Sequence, residues 1–153
     1  MNPIRGTGKS LTVLLVEDSP GDARLTQEVL HNTNNSLQVV VASDGTEALA
    51  LLKREGAYVL APRPDLILLD LNLPKMNGHA VLAHIKEDPD LRTIPTVILS
   101  TSDSEADIAQ SYQLRANCYL SKPVELSALE RLLRGVNDFW LTRATLPQQG
   151  RTA

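Results

Sequence analysis

The sequence predicts an α/β domain in which five parallel strands form a doubly wound sheet covered by helices on both sides. Three observations carry that prediction. The runs "LTVLLVE", "LQVVVA", "DLILLD", "TVILS" and "ANCYLS" are largely apolar without alternation, as strands buried on both faces are. Stretches of helical spacing separate them, so strand and helix alternate five times, an order that implies right-handed crossovers. The 153 residues suit one domain that buries its own core.

Each element has a local reason. "LTVLLVE" (Leu11 to Glu17) is the first strand, and Ser19 followed by Pro20 reads as an N-cap with proline at the first helical position. That helix runs to about His31, with Ala23, Val29 and Leu30 among its apolar positions, and "NTNNS" is a turn. "LQVVVA" is the second strand. Asp44 caps a helix through "GTEALALLKRE", whose apolar face is Ala48, Leu49, Leu51 and Leu52. "GAYVLAPRP" is a long loop, "DLILLD" (Asp65 to Asp70) the third strand, and "LNLPKMNG" a loop before a helix that ends near Glu87. "DPDLRTIP" leads into "TVILS", which ends at Ser100; "DSEADIAQSYQL" is a polar-rich helix. "ANCYLS", then "KP", then a helix from about Glu125 to Trp140 complete the domain, and 13 residues follow, too few for an output module.

Composition narrows the function. A net charge of −3 speaks against broad nucleic-acid binding. One cysteine, Cys118, allows no internal disulfide, which points to a reducing cytoplasm. No apolar run is long enough to span a bilayer, and "MNPIRGTGKS" has no signal core. The "GKS" at Gly8 to Ser10 resembles the end of a phosphate-binding loop, but Pro3 stands where that loop needs its first glycine, and the segment precedes a strand. Residues 1–10 read as a flexible tail.

Chemistry gathers at the carboxyl ends of the strands, where open parallel sheets bind ligands. The first strand supplies Glu17 and Asp18, the third Asp70, the fourth Ser100 and Thr101, and Lys122 follows the fifth. An aspartate after a strand is usually a cap or turn residue; three carboxylates, the Ser100 hydroxyl and an ammonium in this order are hard to explain that way. Crowded carboxylates raise one another's pKa or recruit a cation, and few protein oxygens with water suit Mg²⁺. Asp70 then has a field in which it can take a phosphoryl group, with Lys122 pairing to the phosphate and Ser100 donating to another oxygen.

Together "LLVEDSP", "PDLILLDLNLPKMNG", "TVILSTSD" and "NCYLSKP" resemble the receiver domain of two-component response regulators over residues 11–140. The resemblance implies a flavodoxin-like (βα)5 fold with strand order 2-1-3-4-5. It implies Asp70 as phospho-acceptor and a Mg²⁺ site of Asp18, Asp70, Glu17 (often through water) and the backbone carbonyl of Asn72. Ser100 matches the switch hydroxyl, Tyr119 the switch aromatic and Lys122 the family lysine, whose bond to Pro123 is typically cis. Thr101 stands where many receivers carry Ala or Gly, which tightens access to the phosphoryl group. The "EGAYVLAPRP" loop and the "NDFWLTRATLP" ending are similar to the stand-alone regulators that partner phytochrome histidine kinases in cyanobacteria and other bacteria. Those lack an output domain and commonly form homodimers.

The last helix has a row at Leu126, Leu129, Leu133, Val136 and Trp140 and a second at Leu132 and Phe139. A wide core stripe accounts for both rows; the alternative is packing against a second copy, with the fourth helix and fifth strand, through Leu129, Leu133, Val136, Phe139 and Trp140. His31, His79 and His84 share no ligand spacing and read as surface residues, Cys118 as a small buried hydrophobe. A signalling receiver competes with a magnesium-dependent aspartyl-phosphate phosphohydrolase, with a chemotaxis-type receiver serving another kinase, and with a phosphate-independent binding module. Such hydrolases place an acid/base Asp two residues after the nucleophile; here that residue is Asn72, which cannot shuttle a proton. Self-catalysed gain and loss of phosphate is then the only turnover expected.

Overall fold

A computed structural model of the chain describes residues 10–33 and 36–147. The strands are β1 (Thr12–Val16), β2 (Gln38–Ala42), β3 (Leu66–Leu69), β4 (Thr96–Ser100) and β5 (Cys118–Ser121). They form one sheet in the order β2-β1-β3-β4-β5 with every neighbouring pair parallel. The helices are α1 (Pro20–Thr33), α2 (Gly45–Lys53), α3 (Gly78–Glu87), α4 (Glu105–Gln113) and α5 (Leu126–Asp138). Architecture and strand order agree with the sequence expectation. Residues 1–9 of the expected tail and part of the "NTNNS" turn lie outside the described residues, as does the chain beyond residue 147.

The unalternated strands have a simple cause. Side chains alternate across a strand, so Leu14 and Val16 of β1 join Ile67, Leu69 and Ile98 under α2 and α3. Val13 and Leu15 join Leu66, Leu68 and Val97 on the opposite face, under α1 and α5. Both faces need apolar residues, each fully buried Leu or Val contributing roughly 1.5–3 kcal/mol. The edge strands β2 and β5 are only half-buried along most of their length.

Caps fix the helix starts. Asp44 accepts from the Glu47 amide, Asn77 from Ala80 and Ser104 from Asp107. Helix α2 ends two residues before the expected Glu55 because Arg54 adopts φ 56°, a left-handed cap that returns its amide to Ala50 and Leu51. The 56–64 loop contains a 3₁₀ turn at Gly56–Tyr58, and α5 passes into a π turn at Phe139–Arg143.

Two expectations need correction. Leu129, Leu133 and Val136 are buried in the protein's own core against residues of α1 and the sheet, so they offer no surface to a second copy. From Leu129 onward the first apolar row of α5 packs on the core, while Leu126 at its start is 61% exposed. Phe139 is 55% exposed and Trp140 half-buried, the two touching edge-to-face at 5.2 Å. His79, expected on the surface, is half-buried between α3 and α4, with Nε2 3.1 Å from Ser111 Oγ and 3.3 Å from the Asp107 carbonyl. Helix α4 buries only Ser111, so this histidine bridge compensates for a thin apolar contact.

Candidate functional site

Parallel pairing sets the strand ends side by side: Val16 lies opposite Leu69, and Leu69 opposite Ile98. The residues that leave these strands therefore meet at one edge. One oxygen each from Glu17, Asp18 and Asp70 falls within 4.8 Å of the others. Glu17 and Asp70 are buried and Asp18 is exposed, so the cluster opens to solvent on the Asp18 side.

Lys122 reaches into the cluster from the far end of the sheet. Its Nζ is 2.8 Å from Glu17 Oε1, 3.1 Å from Asp22 Oδ2 and 3.5 Å from Asp70 Oδ2. The Lys122 amide donates to the Ser100 carbonyl, which ties the lysine to the end of β4. Burial opposes the charge of Lys122, but the bond to Glu17 and the fields of Asp70 and Glu17 outweigh it and push the group up to about 12. Glu17 is driven above the usual carboxylate range by burial, with the Asp70 charge adding to it; the Lys122 ammonium offsets only part of that rise. The two shifts differ in origin: the surrounding carboxylates raise Lys122, whereas burial is the main cause of the rise in Glu17.

This donor set fits a hard divalent cation. Three carboxylates bring oxygens to one point, and the single lysine leaves negative charge over. Asn72 is exposed in the loop after Asp70, and its amide donates to Asp70 Oδ1 at 3.2 Å, fixing that side chain. Gly78 opens α3 directly under that loop, and a β-carbon there would strike the Asp70 carbonyl oxygen.

Ser100 is fully buried at the end of β4, and its Oγ accepts from the Ser102 amide at 3.1 Å. Thr101 is exposed at the mouth. Tyr119 is half-buried on β5, its hydroxyl donating to the Ser102 carbonyl at 2.7 Å. Ser102 Oγ in turn donates to Asp107 Oδ2 at 2.6 Å, so Ser100, Tyr119 and the first turn of α4 share one loop. Among the described residues there is no cis peptide bond, so Lys122–Pro123 is trans, a correction to the implied cis form and the isomer that an X–Pro bond prefers by about 0.5–1 kcal/mol.

The structure thus gathers Glu17, Asp18, Asp70 and Lys122 at one point, with Ser100 and Tyr119 on the flanking strands. Sequence reasoning missed Asp22. Its signal was present, an acid in the first turn of a helix that starts beside the cluster, but it reads there as a partner for the helix dipole. Ser102 was missed as well; it is a loop serine whose role appears only through its contacts.

A model of the response regulator receiver domain matches residues 13–134. The response regulator Rcp1 of Synechocystis sp. is 50% identical over 135 residues, covering 88% of this chain and 92% of Rcp1. The phosphorylated cyanobacterial phytochrome response regulator RcpA superposes with a TM-score of 0.89 at 52% identity, over 92% of this chain and 100% of that one. The Mn²⁺-bound form of Rcp1 gives a TM-score of 0.87 at 48% identity, over 90% and 99% of the two chains. A match that runs from the first strand into the last helix, at identities near one half, means that the chain belongs to the response regulator receiver domains.

Proposed function

We propose that Asp70 is the phospho-acceptor of this receiver and takes its phosphoryl group from a histidine of a partner kinase. The observation that carries the reading is the convergence of Glu17, Asp18 and Asp70 with Lys122 at the strand ends. A carboxylate oxygen of Asp70 forms the new bond to phosphorus as the phosphorus–nitrogen bond of the donor breaks. The bonding pair leaves with the imidazole nitrogen, which takes up a proton. Asp18 and Asp70, with Glu17 and the Asn72 carbonyl, are the residues to hold Mg²⁺, which when bound supplies the positive charge that phosphoryl transfer needs. Lys122 pairs with the transferred group, and Ser100 donates its hydroxyl to a phosphoryl oxygen. Tyr119 and Ser102 then carry the change to the start of α4, the switching face being α4, β5 and α5.

The partner kinase is a phytochrome photoreceptor. Similarity to RcpA, described as a phytochrome response regulator, supports this. Cytoplasmic residence fits such a partner, and no helix among the described residues is long and apolar enough to cross a membrane. The chain works as a homodimer, for which the exposed Tyr112 on α4, Leu126 at the start of α5 and Phe139 at its end are the support.

Treatment with a small phosphodonor and Mg²⁺ adds one phosphate by intact mass, and Asp70→Asn abolishes it. An unchanged mass for the natural protein, or a phosphate retained by the variant, refutes the acceptor role.

A further inference from the structure

Lys122 has three N–H groups, and the two shortest contacts of its ammonium are to acids other than Asp70. Glu17 stands at 2.8 Å and Asp22 at 3.1 Å, while Asp70 at 3.5 Å lies at the outer limit of a hydrogen bond. The first two partners differ in how easily they let go. The side chain of Glu17 is 5% exposed, so leaving it without the ammonium strands a charge in the interior. Asp22 is 42% exposed and can turn to water. Its backbone does not depend on Lys122: the Asp22 amide donates to Ser19 Oγ, and its carbonyl accepts from Thr26 Oγ1 at 2.8 Å.

We propose that Asp22 is a positioning residue that holds Lys122 back from Asp70, so that capture of a phosphoryl group trades the Asp22 carboxylate for a phosphoryl oxygen at the lysine. The inference rests on Asp70 being the acceptor. Two effects act in one direction. The carboxylate competes for the ammonium, and its own charge opposes a group that brings about two negative charges beside it. Asp22 thereby acts as a brake on phosphate uptake, set by an ion pair weak enough to break. Removing the charge speeds uptake by the factor that a half-exposed ion pair is worth, about threefold to fivefold. Asparagine keeps the size of the side chain and the first turn of α1.

The test compares initial rates of phosphate uptake from acetyl phosphate at saturating Mg²⁺, by intact mass, in the natural protein, Asp22→Asn, Lys122→Ala and the double variant. Asp22→Asn is faster than the natural protein, and the gain is smaller in the Lys122→Ala background, where only the direct charge repulsion remains. An equal or slower Asp22→Asn, or the same gain in both backgrounds, overturns the proposal, because a purely helical role for Asp22 ignores the lysine. Hydrogen exchange of the Lys122 ammonium, followed by nitrogen-15 NMR without phosphodonor, speeds up in Asp22→Asn; unchanged exchange overturns it too. A natural protein that takes up no phosphate instead removes the acceptor reading, and the exchange experiment still decides the contact.

Discussion

Replacing glycine by alanine at two positions tests the packing beneath Asp70, because the same chemical change should act with opposite signs. At Gly78 a β-carbon would fall on the carbonyl oxygen of Asp70 and the Cα of Leu71, both backbone atoms of the loop that begins at Asp70. Neither is the free end of a side chain that can swing away. Crowding of this kind costs about 1–3 kcal/mol. At Gly135, inside α5, an added methyl meets nothing within 4 Å, and alanine gains about 1 kcal/mol in a helix interior. Unfolding entropies of about 2.1 cal/mol/K per residue give about 0.3 kcal/mol/K for 153 residues. Gly78→Ala should therefore lower Tm by about 6 °C for a 2 kcal/mol cost, and Gly135→Ala should raise it by about 3 °C. Thermal unfolding by circular dichroism reads both, with phosphate uptake by mass as the second measurement, since under the proposed role of Asp70 a shifted backbone there slows uptake. Tm shifts of the same sign, or a Gly78→Ala protein unchanged in both Tm and uptake, would refute the reasoning.

Two further perturbations probe the α5 end and the β5 edge. Phe139→Ala weakens self-association in sedimentation velocity while leaving Tm within a few degrees, since that ring is 55% exposed; unaltered association removes Phe139 from the interface. Burial pushes the Cys118 thiol above its ordinary 9.0, so the folded protein holds this proton more tightly than the unfolded chain. That contribution to stability is present below the unfolded thiol pKa and fades as pH climbs through the folded one. Alkylation of Cys118 by iodoacetamide at pH 8 should accordingly be slower in the folded protein than in urea, and equal rates would contradict the burial.

The site was legible wherever function placed an unusual residue at the end of an apolar run. Glu17, Asp18, Asp70, Ser100 and Lys122 each interrupt or follow a strand, and the side-by-side ends of a parallel sheet then bring them together. Asp22 was not legible for the converse reason. An acid in a first helical turn is the ordinary choice there, and nothing local distinguishes one that also reaches a lysine 100 residues away. The apolar rows of α5 show the same limit, since Leu132 and Phe139 share a row although one packs on the core and the other is exposed, as do Leu133 and Leu126 in the other row.

The sequence by itself determined the alternation of strand and helix, the burial of the strands on both faces and the class of chemistry at one edge. These depend on residue type and period, which are local properties. The tertiary structure alone decided which acids hold Lys122, which residues of α5 remain exposed and that His79 bridges α3 and α4. Each of those depends on distances between segments far apart in the chain, and a linear pattern carries no information about such distances until the sheet has set them.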